Sequence, residues 1–508
     1  MNKKTAVLLV FVLVKFVLQY QLISPEYDLH RDEYLHLDQG SHLAWGYLSV
    51  PPLTSWISYL IQLLGNTVFW VRFFPALFGA LTLVMVWKSI TALNGDLLAH
   101  ILGATCILFS VLLRLNTLYQ PNSFDVLAWV TVYYCLIRYQ QREQSRWLYL
   151  GAVAFALGFL NKYNVLFLAM GCVPALLVTR QRNIFTRKAL YLAVMLALLL
   201  VLPNLLWQYH NHFPVIHHME LLTRTQLVNA TRGDFLKSQL LFNIGSVHVI
   251  LAGLVALLVH KPFQKHRSFF WSLLFTLAIF LYFRAKDYYA IGLYPIYIAF
   301  GATYITAVFP AGRRKIVYAV ALLVPVLLFI PLYQRAFPNQ SPQYIVAHQE
   351  KYKNWGLLRW EDGKDHQLPQ DFADMLGWRE LAHKVDSVYS AISDTAATLV
   401  LCDNYGQAGA INFYSRKGIK AVTFNADYIN WFQLDSPYRN LIRVKEYADK
   451  DDELATTSPY FQSSQKSVQV DNTLAREYGT TLFVFTGANI DVRQRLIDEI
   501  KEVKSEWQ

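Results

Sequence analysis

Long apolar segments recur along the first two thirds of this 508-residue chain and then stop, which restricts its possible folds severely. A helix needs roughly 20 mostly apolar residues to cross a bilayer. The predicted spans are 5–23, 68–90, 97–113, 124–138, 147–161, 164–179, 189–207, 241–260, 269–283, 291–309 and 316–333. Charged residues make up only 16% of the chain, against about a quarter in soluble proteins. The pattern predicts a mainly α, polytopic membrane protein whose first segment is a retained span rather than a cleaved signal peptide.

The basic residues give an independent prediction of topology. Clusters of Lys and Arg fall in alternate loops, and the positive-inside rule assigns such loops to the cytoplasm. The clusters are Lys3 and Lys4; Arg138, Arg142 and Arg146; Arg180, Arg182, Arg187 and Lys188; Lys261, Lys265 and Arg267; and Arg313, Arg314 and Lys315. The other side then receives 24–67, 114–123, 208–240, 284–290 and everything after 333. The net charge of +11 is therefore interpreted as a sign of topology, with no nucleic-acid partner.

A change of composition near residue 335 predicts two domains. Residues 1–335 form the transmembrane domain, which includes a first outer loop at 24–67. Residues 340–508 have soluble composition, with helical periodicity at 375–393 and 491–504 and β-rich runs at 397–402 and 480–485. This tail is predicted to be a small extracytoplasmic α/β domain.

The first outer loop carries an acidic pair, Asp32 and Glu33, beside a membrane span. A helix is predicted at 33–45 and a second at 53–64, separated by two prolines that break the chain. The second helix suits a position in the lipid interface. Charged groups are expensive near hydrocarbon unless they have a function, so the pair predicts a site at the membrane surface.

Polar side chains from four parts of the sequence are expected on this outer side. They are Asp32 with Glu33; Asp125; Lys162; and Arg284, Lys286, Tyr288 and Tyr289. Fixed cations suit a lipid phosphate, and a carboxylate suits a general base that takes a proton from a hydroxyl group. Together they indicate transfer of a group from a lipid phosphate to a hydroxyl acceptor.

Each of these residues also has a structural interpretation. Arg284 and Lys286 suit snorkelling at a helix end, and Lys162 suits a plain turn. Asp125 and the acidic pair suit helix N-termini as capping residues. A divalent metal ion is a possible cofactor, because Asp32 and His36 share a helical face and 217–220 reads His-His-Met-Glu, although histidines at an interface are also simply solvated.

Several motifs in order along the chain resemble bacterial glycosyltransferases related to dolichyl-phosphate-mannose protein mannosyltransferases and aminoarabinose transferases, membrane enzymes of the GT-C fold. The motifs are His30-Arg31-Asp32-Glu33, His42 to Tyr47, Pro51-Pro52-Leu53, Arg72 to Leu77, Gln120 to Trp129, Asn161-Lys162-Tyr163, Leu202 to Gln208, Lys286 with Tyr288-Tyr289, Leu376-Gly377-Trp378 and Asn404 to Ala408. The resemblance covers nearly the whole chain.

The resemblance implies a role for individual residues. Asp32 matches the acidic residue of the first loop, the catalytic base, with Glu33 in a supporting role. Asp125 matches an aspartate that assists acceptor or metal binding, and Lys286 and the two tyrosines match positions near the donor phosphate. Some relatives carry a basic residue just before the proline pair, where this chain has Val50. Either this chain lacks that contact with the donor phosphate, or Arg31, Lys162 or Arg284 supplies it.

The sequence therefore predicts an inverting glycosyltransferase in a bacterial inner membrane, crossing it about eleven times. It would move a sugar from a polyprenyl-phosphate carrier to a lipid, polysaccharide or protein hydroxyl on the extracytoplasmic side. Two other classes remain open: a lipid-linked sugar transporter or flippase, which needs charges lining a path at mid-membrane, and a non-catalytic membrane scaffold.

Overall fold

The computed structural model describes residues 2–225, 231–308 and 311–505. Its α-helices are α1 (Lys3–Gln21), α2 (Arg31–Gln39), α3 (Leu53–Leu63), α4 (Val68–Ala92), α5 (Leu97–Leu108), α6 (Leu112–Leu115), α7 (Asn122–Arg142), α8 (Arg146–Asn161), α9 (Val165–Leu177), α10 (Lys188–His210), α11 (Pro214–Thr225), α12 (Arg232–Phe242), α13 (Val247–Val259), α14 (Ser268–Tyr282), α15 (Tyr294–Val308), α16 (Ala311–Arg335), α17 (Pro342–Ala347), α18 (Gln349–Lys353), α19 (Gln370–Ala373), α20 (Trp378–Ser390), α21 (Tyr405–Tyr414), α22 (Glu453–Thr457) and α23 (Val492–Ser505). Its strands are β1 (Thr398–Cys402), β2 (Val422–Thr423), β3 (Asn440–Lys445), β4 (Phe461–Gln469) and β5 (Thr481–Ala488).

The chain divides into two compact units. The helical unit contains Met1–Leu22, Val50–Leu53 and Arg72–Phe337. The loop–tail unit contains Ile23–Ser49, Thr54–Val71 and Pro338–Gln508. The first outer loop is thus grouped by its contacts with the tail, 338–508. The division into functional domains at 1–335 and 340–508 remains a prediction.

Each of the eleven predicted spans coincides with a helix. These helices are α1, α4, α5, α7, α8, α9, α10, α13, α14, α15 and α16. By length and composition, five helices of the described chain suffice to cross a membrane: Lys3–Gln21, Val68–Ala92, Lys188–His210, Asp287–Val308 and Gly312–Arg335. Two bent pairs, at 108° and 100°, raise the number to seven if each forms one span. The mainly α membrane fold is confirmed, while a count of eleven crossings stays a prediction.

The first outer loop forms two short helices that pack on each other. The Ser58 hydroxyl on α3 donates to the His36 carbonyl on α2 at 2.6 Å, and Gln62 Nε2 donates to the Leu37 carbonyl at 3.1 Å. Helix α2 ends at Gln39, earlier than the predicted 45. A Cβ atom at the next residue, Gly40, would lie 2.7 Å from Ser58 Cβ, so close packing of the two helices occurs where α2 ends.

The tail contains the predicted sheet. Five strands lie in the order β2-β1-β3-β5-β4, with β2, β1 and β3 parallel and β5 antiparallel to both neighbours. Strand β1 is buried along its whole length, which explains its continuous apolar sequence, whereas edge strand β4 is mostly exposed and polar. Helix α21 packs against α20 and α2, so it joins the tail to the first outer loop within one unit.

Candidate functional site

Asp32 lies in the first turn of α2, in the loop–tail unit. Its side chain is 41% exposed, so the carboxylate is open to solvent. The His30 Nδ1 atom accepts a hydrogen bond from the Asp32 amide at 3.2 Å and thereby caps the helix. The helix N-terminus favours negative charge at this position. The structure therefore presents Asp32 as an accessible carboxylate on a capped, fixed turn.

Glu33 is buried and takes the second position of a capping box. Its Oε2 atom accepts from the His30 backbone amide at 2.6 Å, and its side chain is 0% exposed. This arrangement matches the structural interpretation of Glu33 as a cap. A supporting role for Glu33 in catalysis is a separate prediction that this geometry does not test.

The tail supplies a partner for Asp32. The Tyr405 hydroxyl donates to Asp32 Oδ1 at 2.7 Å. The Arg31 guanidinium carbon lies 4.7 Å from the centre of the same ring, within cation–π distance. Tyr405 belongs to a tail motif that carried the family resemblance, but nothing in the sequence connects it with a residue 373 positions earlier.

The surroundings of Asp32 keep its carboxyl ionised. The partial loss of water around Asp32 would raise its pKa, but His30, the Tyr405 hydroxyl, His36 and Arg31 together hold the pKa of Asp32 below its usual value. Hydrogen bonding and positive charge both favour the carboxylate over the acid. Asp32 is thus in the deprotonated form that a general base requires.

Asp125 lies in the helical unit and has a different environment. It is 5% exposed, and each carboxylate oxygen accepts a hydrogen bond: Oδ1 from Trp129 Nε1 at 2.9 Å and Oδ2 from Asn164 Nδ2 at 2.8 Å. The residue at the N-cap of α7 is Pro121, so Asp125 is not the capping residue. These two hydrogen bonds suit a role in which Asp125 fixes the positions of the Trp129 and Asn164 side chains.

Lys162 lies at the C-terminal end of α8, in the turn before α9. Its Nζ atom donates to Asn122 Oδ1 at 2.7 Å and lies 4.2 Å and 5.1 Å from the ring centres of Tyr289 and Tyr288. Burial lowers the pKa of Lys162 to about 8, with Asp125 opposing and Lys286 adding to that shift. The ammonium group is therefore surrounded closely by neutral groups, with a carboxylate nearby.

Asn164 connects these parts. Its side-chain amide donates both to Asp125 and, at 2.9 Å, to the Tyr289 carbonyl. The structure thus gathers four predicted residues, Asp125, Lys162, Tyr288 and Tyr289, into one cluster. Asn122, Trp129 and Asn164 belong to it as well, although the sequence analysis gave them no role.

The other predicted cations differ from Lys162. Arg284 is exposed and has a left-handed backbone conformation (φ 50°), just after helix α14. Lys286 is half-buried, and its charge acts on both Lys162 and His218. Arg284 fits the snorkelling interpretation, while Lys286 adds positive potential to the Lys162 cluster.

A possible metal position differs from those predicted. Within the described ranges, His30, Asp371 and Asp374 have potential ligand atoms within 4.8 Å of one another. His30 Nδ1 already accepts from the Asp32 amide, so a metal ion would have to bind at Nε2, the atom that faces Asp374 at 3.8 Å. Asp374 is also paired with Arg476 at 3.2 Å. The donor set therefore fits an ion-pair network better than a metal site.

Comparison with known proteins gives one family match and one curated relative. The family model described as dolichyl-phosphate-mannose-protein mannosyltransferase matches residues 49–207. The chain is 29% identical over 220 residues to the lipid A galacturonosyltransferase RgtD of Rhizobium johnstonii, a match that covers 42% of this chain. It spans 46% of that relative's length, about half.

Solved structures show the fold. The chain matches ArnT from Cupriavidus metallidurans bound to undecaprenyl phosphate with a TM-score of 0.63 and 14% identity, over 94% of this chain and 98% of that one. The apo state of the same protein gives a TM-score of 0.62 over 97% and 99% of the two chains. The fold is therefore that of a GT-C membrane protein.

Proposed function

We propose that this chain is a membrane glycosyltransferase of the GT-C family and moves a sugar from a polyprenyl-phosphate carrier to a hydroxyl acceptor. The acceptor class is a lipid, a polysaccharide or a protein. The site faces the extracytoplasmic side of a bacterial inner membrane, as does the tail. Support for this placement comes from the alternation of basic loops along the chain.

The observation that carries the proposal is the state of Asp32. It is 41% exposed, fixed in the first turn of a capped helix and surrounded by groups that favour its ionised form. An accessible, ionised and positioned carboxylate has the properties of a general base.

In the proposed reaction an Asp32 carboxylate oxygen takes the proton of the acceptor hydroxyl. The acceptor oxygen then forms a bond to the anomeric carbon of the sugar, with inversion. The bond from that carbon to the phosphate oxygen breaks, and its electron pair leaves with the polyprenyl phosphate. Asp32 afterwards returns its proton to water. Positive charge is expected to build up on the sugar ring, as in other glycosyl transfers.

Lys162 is proposed to stabilise the phosphate. Its hydrogen bond goes to a neutral amide and its nearest aromatic neighbours are uncharged tyrosines, so much of its positive potential stays available to an anion. Lys286 adds to that potential, and Arg31 and Arg284 are further candidates. Asp125 holds the cluster together through Trp129 and Asn164.

The transporter alternative predicts a charged path at mid-membrane. One charge inside a predicted span is Lys15 on α1, which is 3% exposed and donates to Gln19 Oε1 at 3.1 Å. The cavity beside it has a volume of only about 10 Å³. That is roughly the space of one water molecule, far too small for a sugar. Lys15 and its cavity therefore do not support the transporter hypothesis.

The proposal is tested by mass spectrometry of the envelope in a deletion strain of the source organism. We expect a glycolipid or glycoprotein to lose one sugar, and plasmid-borne wild-type protein to restore it. An Asp32→Asn protein of equal abundance is expected to fail. An unchanged envelope would argue against the enzyme, and full restoration by Asp32→Asn would show that Asp32 is not the base.

A further inference from the structure

Tyr405 connects the tail with the proposed base through two contacts of one side chain. Its hydroxyl donates to Asp32 Oδ1 at 2.7 Å, while its ring lies beside the Arg31 guanidinium at 4.7 Å. Both contacts lie within the loop–tail unit. A single tyrosine thus fixes the positions of two consecutive residues of α2, one of them the proposed base.

The tail holds Tyr405 rigidly. Asn404 caps α21 by accepting from the Gln407 amide at 3.0 Å, which fixes the turn that begins with Tyr405. Gln407 Nε2 donates to the buried Glu477 carboxylate at 2.7 Å. At Gly406 a Cβ atom would lie 2.7 Å from Arg31 Cγ and 2.9 Å from the Trp378 ring, so only glycine fits without a shift.

The groups that act on Asp32 are not equally able to keep it ionised at neutral pH. His30 accepts the Asp32 amide hydrogen at Nδ1, so this nitrogen is used as the cap of α2 and donates no hydrogen bond to the carboxylate. Burial lowers the pKa of His36, which favours its neutral form. Tyr405 and Arg31 remain, and Tyr405 contacts both Asp32 and Arg31. Asp374 and Glu477 are the carboxylates that act on Arg31 from the tail.

We propose that Tyr405 is a positioning residue for Asp32, so that the tail forms part of the catalytic machinery. The inference rests on the proposed function, because it takes Asp32 as the base. It deepens that function by assigning the tail a direct role in proton transfer, beyond any recognition of the acceptor. In this proposal, the Asn404-Tyr405-Gly406-Gln407 motif positions the Tyr405 hydroxyl against the Asp32 carboxylate.

The test is Tyr405→Phe in the full-length protein, which removes the hydroxyl and keeps the ring beside Arg31. Loss of a hydrogen bond to the charged form raises a carboxyl pKa, and we expect the acid limb of the kcat/KM profile to move up by about one pH unit. On the plateau, kcat is expected to fall about tenfold through looser positioning. The KM for the polyprenyl-phosphate sugar is expected to stay within about twofold, since the phosphate contacts are intact.

The matched control is Tyr428→Phe. Tyr428 also donates to a carboxylate of α2, Asp38 Oδ2, at 2.6 Å in the same unit. Its loss affects packing to a similar extent but touches a carboxylate without a proposed catalytic role. We therefore expect the pH profile of Tyr428→Phe to match the wild type, which separates a specific effect on Asp32 from general loosening of the loop–tail contact.

A second measurement does not depend on turnover. Carbodiimide activates protonated carboxyl groups, so the pH midpoint for labelling Asp32, followed by peptide mass spectrometry, reports its protonation. We expect this midpoint to rise in Tyr405→Phe and not in Tyr428→Phe. Unchanged profiles and midpoints in Tyr405→Phe, with Asp32→Asn inactive, would overturn the inference and leave the proposed function intact. An active Asp32→Asn protein would instead overturn the proposed base itself.

Discussion

The two aspartates predicted to act in catalysis occupy opposite environments. Asp32, in the loop–tail unit, is 41% exposed and is held by a tyrosine hydroxyl at a helix N-terminus. Asp125, in the helical unit, is 5% exposed, and its two carboxylate oxygens accept hydrogen bonds from the neutral side chains of Trp129 and Asn164. The same residue type therefore serves two purposes: an open, ionised carboxylate suits proton transfer, and an enclosed one suits alignment of neighbours.

The two units also differ in the charged group that each one presents. The loop–tail unit places a carboxylate in the open, beside an arginine that is stacked on a ring. The helical unit places the Lys162 ammonium against an amide and two tyrosine rings. In the proposed function, the first arrangement serves the acceptor hydroxyl and the second serves the donor phosphate.

The largest effect is expected for Asp32→Asn. General-base catalysis contributes about 10²- to 10⁴-fold, so we expect kcat to fall by that factor while the unfolding temperature stays near the wild-type value. Glu33→Gln keeps an acceptor for the His30 amide and serves as the neighbouring control, with an expected loss below about tenfold. The measurement is in vitro sugar transfer in nanodiscs. An equal decrease of kcat in Asp32→Asn and Glu33→Gln would show that the proposed base and the capping residue do not differ in their effect on the reaction.

Asp125→Leu is expected to act mainly on stability. It leaves the Trp129 indole N–H and the Asn164 amide buried without their acceptor, at about 1–3 kcal/mol for each group. We therefore expect a lower thermal midpoint, measured by intrinsic fluorescence in detergent, and a smaller decrease in Asp125→Asn, which keeps one acceptor oxygen. An Asp125→Leu protein as stable as the wild type would show that Asp125 does not hold this cluster together.

Lys162 is expected to affect donor binding and its pH dependence. With a pKa of about 8, the ammonium is charged below that pH and neutral above it, so affinity for the phosphate should fall as pH rises past about 8. Lys162→Met is expected to raise the donor KM about tenfold, or about 1.4 kcal/mol. The Lys162→Arg protein stays charged at high pH, so the decrease of kcat/KM on the basic side of the pH profile should disappear. If that decrease is unaltered in Lys162→Arg, it comes from the titration of another group.

The smallest effect is expected for Asp38, a carboxylate of α2 with no proposed part in the reaction. Burial raises the pKa of Asp38 to about 7 and that of Asp427 to about 6. Since these values exceed those of the unfolded chain, the folded state binds more protons, and the stability they contribute is lost as pH rises from about 4 through 7.

Hydrogen exchange of α2 and α21 peptides in the full-length protein measures this dependence. After correction for intrinsic rates, we expect protection to decrease from pH 5 to pH 8 and the slope to flatten in Asp38→Asn. Asp435→Asn is the control, because Asp435 is fully exposed in the same unit. An identical slope in Asp38→Asn would show that the contact between α2 and α21 does not depend on this carboxyl group.

Local patterns in the sequence predicted the elements well. The apolar runs located all eleven helices of the predicted spans, and the run at 397–402 located β1, because burial imposes hydrophobicity on whole segments. The predicted helix at 33–45 was too long at its C-terminal end. Gly40 packs against Ser58 where α2 stops, and that contact is fixed by the fold rather than by propensity.

The sequence singled out individual candidate residues but did not indicate the contacts among them. Asp32, Asp125 and Lys162 stood out because charged groups beside apolar spans are costly. No pattern in the sequence indicated that Asn164 links Asp125 to the Tyr289 carbonyl, or that Glu33 is a buried cap rather than an exposed acid. An asparagine or a glutamate near a turn has many possible partners, and only the folded chain selects one.

The sequence by itself thus determined the class of protein: long apolar runs indicated a helical membrane protein and ordered motifs indicated the family, while the basic loops predicted a topology. Only the tertiary structure decided how the carboxylates differ. Asp32 meets Tyr405 across 373 residues of chain, and the hydroxyl, the ring and the glycine beside it have meaning only in that contact. Periodicity records whether a position is buried, whereas protonation and alignment depend on which distant atoms come within about 3 Å.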